Sequence, residues 1–274
     1  SSMKSLLLAA ALWGVLASPA LAQGAQVSAA LSDPARPPEE VKLDTLRKPA
    51  EVIAFAGLKR GDRVADFMSG NGYFTRIFSR VVGPAGRVYA FTPAQQLANC
   101  SASETAGTKA LAHDARYRNV EVLIDAADRF AVPEPVDLVW TAQNYHDLHD
   151  SFMKPIDVAA MNAAIYRALK PGGVYLVIDH AAEAGSGLRD TETLHRIDPE
   201  SIRAEVTAAG FVFEAESAVL RNPDDSHQLR VFDPAIRHRT DQVVLKFRKP
   251  GWGSHGRGAG AGGAGARALA AHVR

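Results

Sequence analysis

A single cysteine, Cys100, stands in a chain of 274 residues. An internal disulfide is therefore impossible, and no base with an orienting partner flanks Cys100 to make it a nucleophile. Neither charge is in excess. Against 31 Lys and Arg stand 30 Asp and Glu, a net charge of +1, which gives no electrostatic reason for a nucleic acid or an acidic membrane as partner. No basic stripe with interleaved aromatics is present, and there is no internal repeat. Long apolar runs are also missing: the longest, Leu6 to Leu16, is too short to span a bilayer comfortably and stops at Ser18-Pro19.

What that apolar run does resemble is a secretory signal. Met3-Lys4 gives the positive start, Leu6 to Leu16 the apolar stretch, and Ala20-Leu21-Ala22 the small-residue cleavage site before Gln23. Ser1-Ser2 reads as a cloning scar. The expectation is a signal over residues 1–22 and a periplasmic or secreted mature protein, with no stable membrane insertion after cleavage. Residues 23–43, rich in Ala and Pro, read as a loosely held arm. Residues 251–274 are dominated by Gly and Ala and lack the apolar pattern that offsets chain entropy, so they read as a disordered tail. Residues 44–250 remain as one domain, long enough to bury a full core.

Within that domain strands and helices alternate. Short apolar runs at Val64–Phe67, Arg87–Phe91, Val120–Ile124, Val136–Thr141 and Val174–Ile178 predict five strands, and Phe211–Ala218 and Gln242–Phe247 two more. Between them, Pro49–Phe55, Tyr73–Val82, Ile156–Leu169 and Pro199–Ala209 predict helices, and Pro93 opens another that runs with interruptions towards Asp114. This order means an α/β sandwich with a mostly parallel sheet. Ligands of such sheets sit outside the carboxyl ends of the strands. The first of those ends is the most informative stretch of the chain: Val64-Ala65-Asp66-Phe67 runs into Met68-Ser69-Gly70-Asn71-Gly72 and then into a helix start. Gly70 and Gly72 admit positive φ and a close backbone approach to a ligand, and the next helix aims its free N–H groups there.

Taken together, these segments resemble the class I S-adenosylmethionine-dependent methyltransferases, and among them a group of exported predicted methyltransferases of bacteria. The likeness runs from about Asp44 to Lys249. It rests on Leu58-Lys59-Arg60-Gly61-Asp62-Arg63-Val64, on Asp66 with Gly70 and Gly72, on Gly83-Pro84-Ala85-Gly86-Arg87-Val88-Tyr89-Ala90, on Val136-Asp137-Leu138-Val139, and on Leu169-Lys170-Pro171-Gly172-Gly173. The resemblance implies a Rossmann-like, seven-stranded, mostly parallel sheet with helices on both faces and an antiparallel last strand. It implies S-adenosyl-L-methionine as cofactor and an unidentified, small-molecule acceptor. It gives Asp66 the amino group of the methionine moiety, Gly70 and Gly72 the backbone under the cofactor, and Asp125 the adenine amino group. Asn144 and Tyr145 would line the place where the methyl group points. Two positions depart from the family pattern: Met68 stands where a glycine is usual, and Thr92 replaces the acid that holds the ribose hydroxyls.

After the fourth strand comes Asn144-Tyr145-His146-Asp147-Leu148-His149-Asp150. Methyl transfer needs an acceptor in line and unprotonated. His146 is the candidate base, Asp147 its orienter or a proton acceptor, and Tyr145 a ring facing the sulfonium. His180 and His195 lie on the same edge. His146, His149, His180 and nearby Asp residues could converge on a metal, but no tight ligand spacing supports one, and no metal is assigned. The segment Val219 to Asp241 must hang over the same edge and reads as a lid, with an Arg for an acidic substrate group. A nicotinamide cofactor fits less well, because Thr75 and Thr92 occupy its third glycine and acid positions. The alternative to an enzyme is a non-catalytic exported binder of nucleoside-type molecules on the same fold.

Overall fold

The computed structural model describes residues 16–153 and 156–251. The expected signal as far as residue 15 and the Gly/Ala-rich tail after Gly251 lie outside the described residues. Four helices, α1 (Pro19–Leu31), α2 (Pro38–Val41), α3 (Asp44–Arg47) and α4 (Pro49–Ala56), lead into β1 (Arg63–Phe67). Then follow α5 (Tyr73–Val82), β2 (Arg87–Pro93), α6 (Ala94–Asn99), α7 (Ala106–Leu111), β3 (Val120–Asp125) and β4 (Val136–Ala142). The second half holds α8 (Val158–Ala168), β5 (Leu169–His180), α9 (Thr191–Leu194), α10 (Pro199–Ala208), β6 (Val212–Ser217) and β7 (Gln242–Arg248).

The strands form one seven-stranded sheet in the order β3-β2-β1-β4-β5-β7-β6. All pairings are parallel except those of β7, which is antiparallel to β5 and β6. The expected Rossmann-like sheet, antiparallel last strand included, is the observed one. The strand order reverses between β1 and β4, and a crevice opens there above the carboxyl ends. Period-two alternation fixes what each face buries. Ala65, Phe67, Val139, Tyr175 and Val177 enter one core, and Val64, Leu138, Trp140, Leu176 and Ile178 the other. On the second face α5 lays Phe74 and Phe78 against Trp140, with ring centroids 4.9 and 5.0 Å away.

Two stretches differ from the sequence expectation. Lys170-Pro171-Gly172-Gly173, between the helix expected to end at Leu169 and the strand expected from Val174, is already the first part of β5. Leu169 pairs with Val136, and Gly172 N–H donates to Lys249 O at 2.8 Å. Here the neighbouring strand claims the backbone groups that a helix cap would otherwise satisfy.

The second difference is larger. The expected loose arm over 23–43 is packed, so the folded unit begins near Pro19 rather than Asp44. Ser18 caps α1, and Val27 and Ala30 on that helix are buried. The Gln23 and Gln26 side chains donate to Leu58 O at 2.7 Å and Arg80 O at 2.9 Å. Arg36, buried, forks onto both oxygens of Asp44 at 2.8 and 2.7 Å, and the Tyr73 hydroxyl donates to the same carboxylate at 2.6 Å. A composition rich in Ala hid a helix whose few apolar residues share a face and whose polar groups find distant partners.

Candidate active site at the sheet switch point

β1 is buried almost throughout, so Asp66 carries its carboxyl group into the interior. Its partner there is the Thr75 hydroxyl on the first turn of α5, donating at 2.7 Å. Burial pushes the Asp66 pKa up to about 7, against a smaller pull from Thr75. Beyond Phe67 the backbone turns through three positive φ angles: 56° at Met68, 58° at Gly70 and 92° at Gly72. The loop is clamped from outside. Thr108 Oγ1 donates to Gly70 O at 2.6 Å, Gly107 N–H to Asn71 Oδ1 at 3.0 Å, and Asn144 Nδ2 to Met68 O at 2.9 Å. A Cβ at Gly107 would fall 2.3 Å from Asn71 O, so only glycine lets α7 approach this closely.

Met68 does not plug the hollow. It is buried within the core cluster that contains Phe67, Phe91 and Phe130, and this packing holds its left-handed backbone. In Met68→Gly the strain relief, about 1–2 kcal/mol, is outweighed by the lost side-chain packing, about 2–5 kcal/mol. The expected outcome is a net loss of up to roughly 4 kcal/mol in urea denaturation.

A cavity of about 1140 Å³ opens over the carboxyl edge. Asp66, Met68, Gly70 and Asn144 line one part of it, and His146 and Asp147, with His180 and His195, line another. Four expected site residues lie outside its wall. Gly72 faces Leu111 and Arg76, where a Cβ would come within 3.0 and 3.1 Å, so this glycine serves helix packing. Asp125 is half exposed and bonds the N–H of Ala126 at 2.7 Å. Thr92 is buried, and its hydroxyl has no partner among the described residues. Tyr145 does not face the cavity. It is fully buried, its hydroxyl donates to Glu205 at 2.7 Å and accepts from Asn162 at 3.0 Å, and the turn that places His146 outward sends Tyr145 inward. His149 points the same way, 3.0 Å from Glu205.

The orienter of His146 is Asp179 rather than Asp147. Asp179, at the end of β5 and fully buried, accepts from His146 N–H at 2.7 Å and from its Nδ1 at 2.8 Å. His146 Nε2 is then 3.1 Å from Asp147 Oδ1. Burial disfavours the charged ring, yet Asp179 and Asp147 outweigh it and hold the His146 pKa well above the ordinary imidazole value. The two carboxylates favour the charged ring, which is not the state of a free base. His180 Nδ1 sits 2.6 Å from Thr240 Oγ1, and burial pushes its pKa down to about 3, so it is neutral.

The 219–241 segment does reach the site: Val231 and Phe232 line the cavity, and the Phe232 ring centroid is 5.2 Å from that of His195. Arg221 is tied to Asp241 and Glu216, while the exposed Arg230 lies 3.4 Å from His195 Nε2.

Sequence reasoning missed the roof. Glu40 and Arg47 from the N-terminal helices line the cavity, and Glu40 pairs with Arg76 at 2.7 Å. Ser69 Oγ, Gln96 Oε1 and Glu40 Oε2 are buried in the wall without a partner among the described residues, the condition expected of groups that meet a polar ligand. The Gln95-Gln96 pair after Pro93 was the available signal, since it opens α6 directly beyond β2.

No protein-family model matches the chain. Two ubiquinone/menaquinone biosynthesis C-methyltransferases, called UbiE, are similar to it. The one from Pseudomonas paraeruginosa is 30% identical over 198 residues, covering 71% of this chain and 65% of its own length. The one from Stutzerimonas stutzeri is 30% identical over 132 residues, covering 46% and 45%. The chain thus spans less than two thirds of these curated relatives. Among solved structures, a SAM-dependent methyltransferase from Aquifex aeolicus superposes with a TM-score of 0.52 at 19% identity, covering 82% of this chain and 98% of the other. The [4+2]-cyclase SpnF superposes with 0.54 at 20% identity, covering 75% and 81%. The chain has the fold of the class I S-adenosylmethionine-dependent methyltransferases, a fold that also carries a cyclase.

Proposed function

We propose that the protein is an S-adenosylmethionine-dependent methyltransferase acting on a small-molecule acceptor. The carrying observation is the single cavity that joins the Asp66–Gly70 loop to the histidine-lined end. Small-molecule sites commonly occupy ~300–1,000 Å³, and about 1140 Å³ leaves room for a nucleoside and a second molecule. The unpartnered wall groups fit such a donor. Asp66 would receive its ammonium group, and Ser69, Gln96 and Glu40 offer further polar contacts. Gln96, four residues after Thr92, can take over the ribose contact that the missing acid leaves open. S-adenosylmethionine supplies a methyl carbon already activated on a sulfonium. The protein's own part is to position the acceptor: Val231 and Phe232 close over it, and His146 is fixed by Asp179 at its far end. The names of the C-methyltransferase relatives support transfer, and the room left for a second molecule speaks against a donor-only binding protein.

Calorimetry with S-adenosylmethionine and its demethylated product should give saturable, mutually competitive binding. Absence of both would end the methyltransferase reading and leave only the fold.

We further propose that the protein acts in the periplasm or outside the cell, as an exported member of this fold. The support is the signal-like order of Met3-Lys4, Leu6 to Leu16 and Ala20-Leu21-Ala22. Among the described residues no helix is long and apolar enough to cross a membrane. N-terminal sequencing of the protein from a fractionated bacterial host should find Gln23 first and the protein in the periplasmic fraction or the medium. An intact N-terminus in the cytoplasmic fraction would refute export. Cleavage after Ala22 would shorten α1 but keep Gln23, Val27 and Ala30, its anchors.

A further inference from the structure

We propose that the far end of the cavity is a binding site for a divalent transition metal of the zinc, manganese or iron(II) class, held by His146, Asp147, Asp150 and His195. One ligand-type atom from each of these side chains lies within 4.8 Å of the others. His146 Nε2 and Asp147 Oδ1 are 3.1 Å apart. Ligands about 2.0–2.2 Å from zinc stand roughly 3–3.5 Å from one another, so the four need only a small contraction. Two imidazoles with two carboxylates suit this class of ion better than calcium or magnesium, which take all-oxygen shells.

A set of polar side chains is not by itself a site, but Asp150 makes this one more than that. Asp150 is almost completely buried, and neither carboxylate oxygen has a hydrogen-bond partner among the described residues. The hydroxyl of Thr191 close by donates to Leu188 O at 3.2 Å and gives the Asp150 carboxyl group only a pull smaller than the cost of its burial. A buried carboxylate left bare on both oxygens is costly unless something fills the space in front of it. The outer arrangement agrees. Asp179 fixes His146 through Nδ1 and leaves Nε2 turned to the cluster, the carboxylate–histidine pairing that orients metal-binding imidazoles. His195 is held at φ 58°, a left-handed backbone that brings its ring edge-on to His146 at 5.6 Å. Arg230, beside His195, is exposed and can swing clear.

Ion binding does not depend on the methyl-transfer reading, whereas the acceptor class it implies rests on that reading. His146, Asp147 and His195 line the cavity, so an acceptor with an oxygen or nitrogen able to complete the coordination would be anchored beside the donor end. That singles out hydroxyl, carboxyl or amine-bearing acceptors over purely apolar ones.

The test is titration of the untagged, chelator-stripped full chain with Co²⁺, followed by absorption, and with Zn²⁺, followed by calorimetry. The expected result is one equivalent bound, with the visible absorption of Co²⁺ in a nitrogen-containing site. Asp150→Asn and His195→Asn should each weaken binding about a hundredfold or more. Asn tolerates the left-handed backbone at 195 and so keeps the local fold. Asp179→Asn, a positioning change, should weaken binding about 10–100-fold. Thermal unfolding of each variant separates loss of a ligand from loss of fold. No saturable binding by the parent protein, or unchanged affinity in folded Asp150→Asn and His195→Asn, would overturn the site. Calorimetry with S-adenosylmethionine alone, in the absence of metal, reads the donor end separately. A failed metal titration with intact donor binding therefore sinks this inference and not the function.

Discussion

Asp66→Asn is expected to weaken S-adenosylmethionine binding by about a hundredfold or more, the roughly 3 kcal/mol of a desolvated charge pair. The reason is the state of Asp66 before the donor arrives. Its pKa of about 7 reflects a carboxyl group buried with one hydroxyl and no cation. The donor's ammonium group would pair with the ionised form. Below pH 7 the free protein must therefore release a proton to bind, and affinity should fall about tenfold per pH unit as the medium becomes more acidic, levelling off above pH 7. Calorimetry across this range in buffers of different ionisation heat counts the proton released. A pH-independent affinity would remove Asp66 from the donor contact.

The same residue makes an opposite prediction for stability. The unfolded carboxyl group ionises near its ordinary value, whereas the folded one ionises near 7, so the native state holds the extra proton between the two. Stability from this group is full below about pH 4 and declines as pH rises to 7, because only the native state must bury the charge. Asp66→Asn removes the ionisation. It should melt higher than the parent at pH 8 and show little advantage at pH 4. A site that binds more tightly than its variant while folding less stably is the expected signature of a group kept for a ligand.

The second large effect lies behind the cavity. Arg196 and Asp225 are both buried and meet through two bonds, at 2.7 and 3.0 Å, with Arg196 also donating to Ala181 O and Leu229 O. Arg196→Met should lower unfolding free energy by about 3–5 kcal/mol, since Asp225 is left buried with its charge unmatched. Asp225 also accepts from the backbone N–H of His227 and Asp241, so the pair pins both ends of the segment that carries Val231 and Phe232. The double variant Arg196→Met with Asp225→Leu should recover part of the loss, because a buried pair is worth less than the penalty for breaking it. Urea denaturation of the two single variants and the double variant, arranged as a cycle, measures this. Losses that simply add would contradict the coupling.

The strands and the first loop were legible because their signals are local. A buried strand must be apolar over four or five residues, and the turn after it must contain residues that admit positive φ. Val64–Phe67 and Gly70 therefore announce themselves. The position of the 219–241 segment followed from topology, since a parallel β6 and an antiparallel β7 leave their connection at the ligand edge. What stayed hidden were the partners. Asp147 is next to His146 in sequence, yet the residue that orients the imidazole is Asp179, from another strand. Tyr145 looked equivalent to its neighbours, but one step along a tight 3-10 turn swings a side chain about a third of the way round. The helices before Asp44 carry few apolar residues, so composition placed them outside the fold. Their packing depends on Arg36, Asp44 and Tyr73 finding one another.

The sequence by itself determined the alternation of elements, the seven-stranded sheet they build and the edge at which a ligand must sit. Periodicity, turn chemistry and strand direction are properties of neighbouring residues and survive without knowledge of the rest. Only the tertiary structure decided which side chains share the cavity, that Met68 is core rather than obstruction, and that Asp150 is buried beside two histidines. Those facts depend on distances between residues far apart in the chain, which close packing fixes and no local pattern encodes.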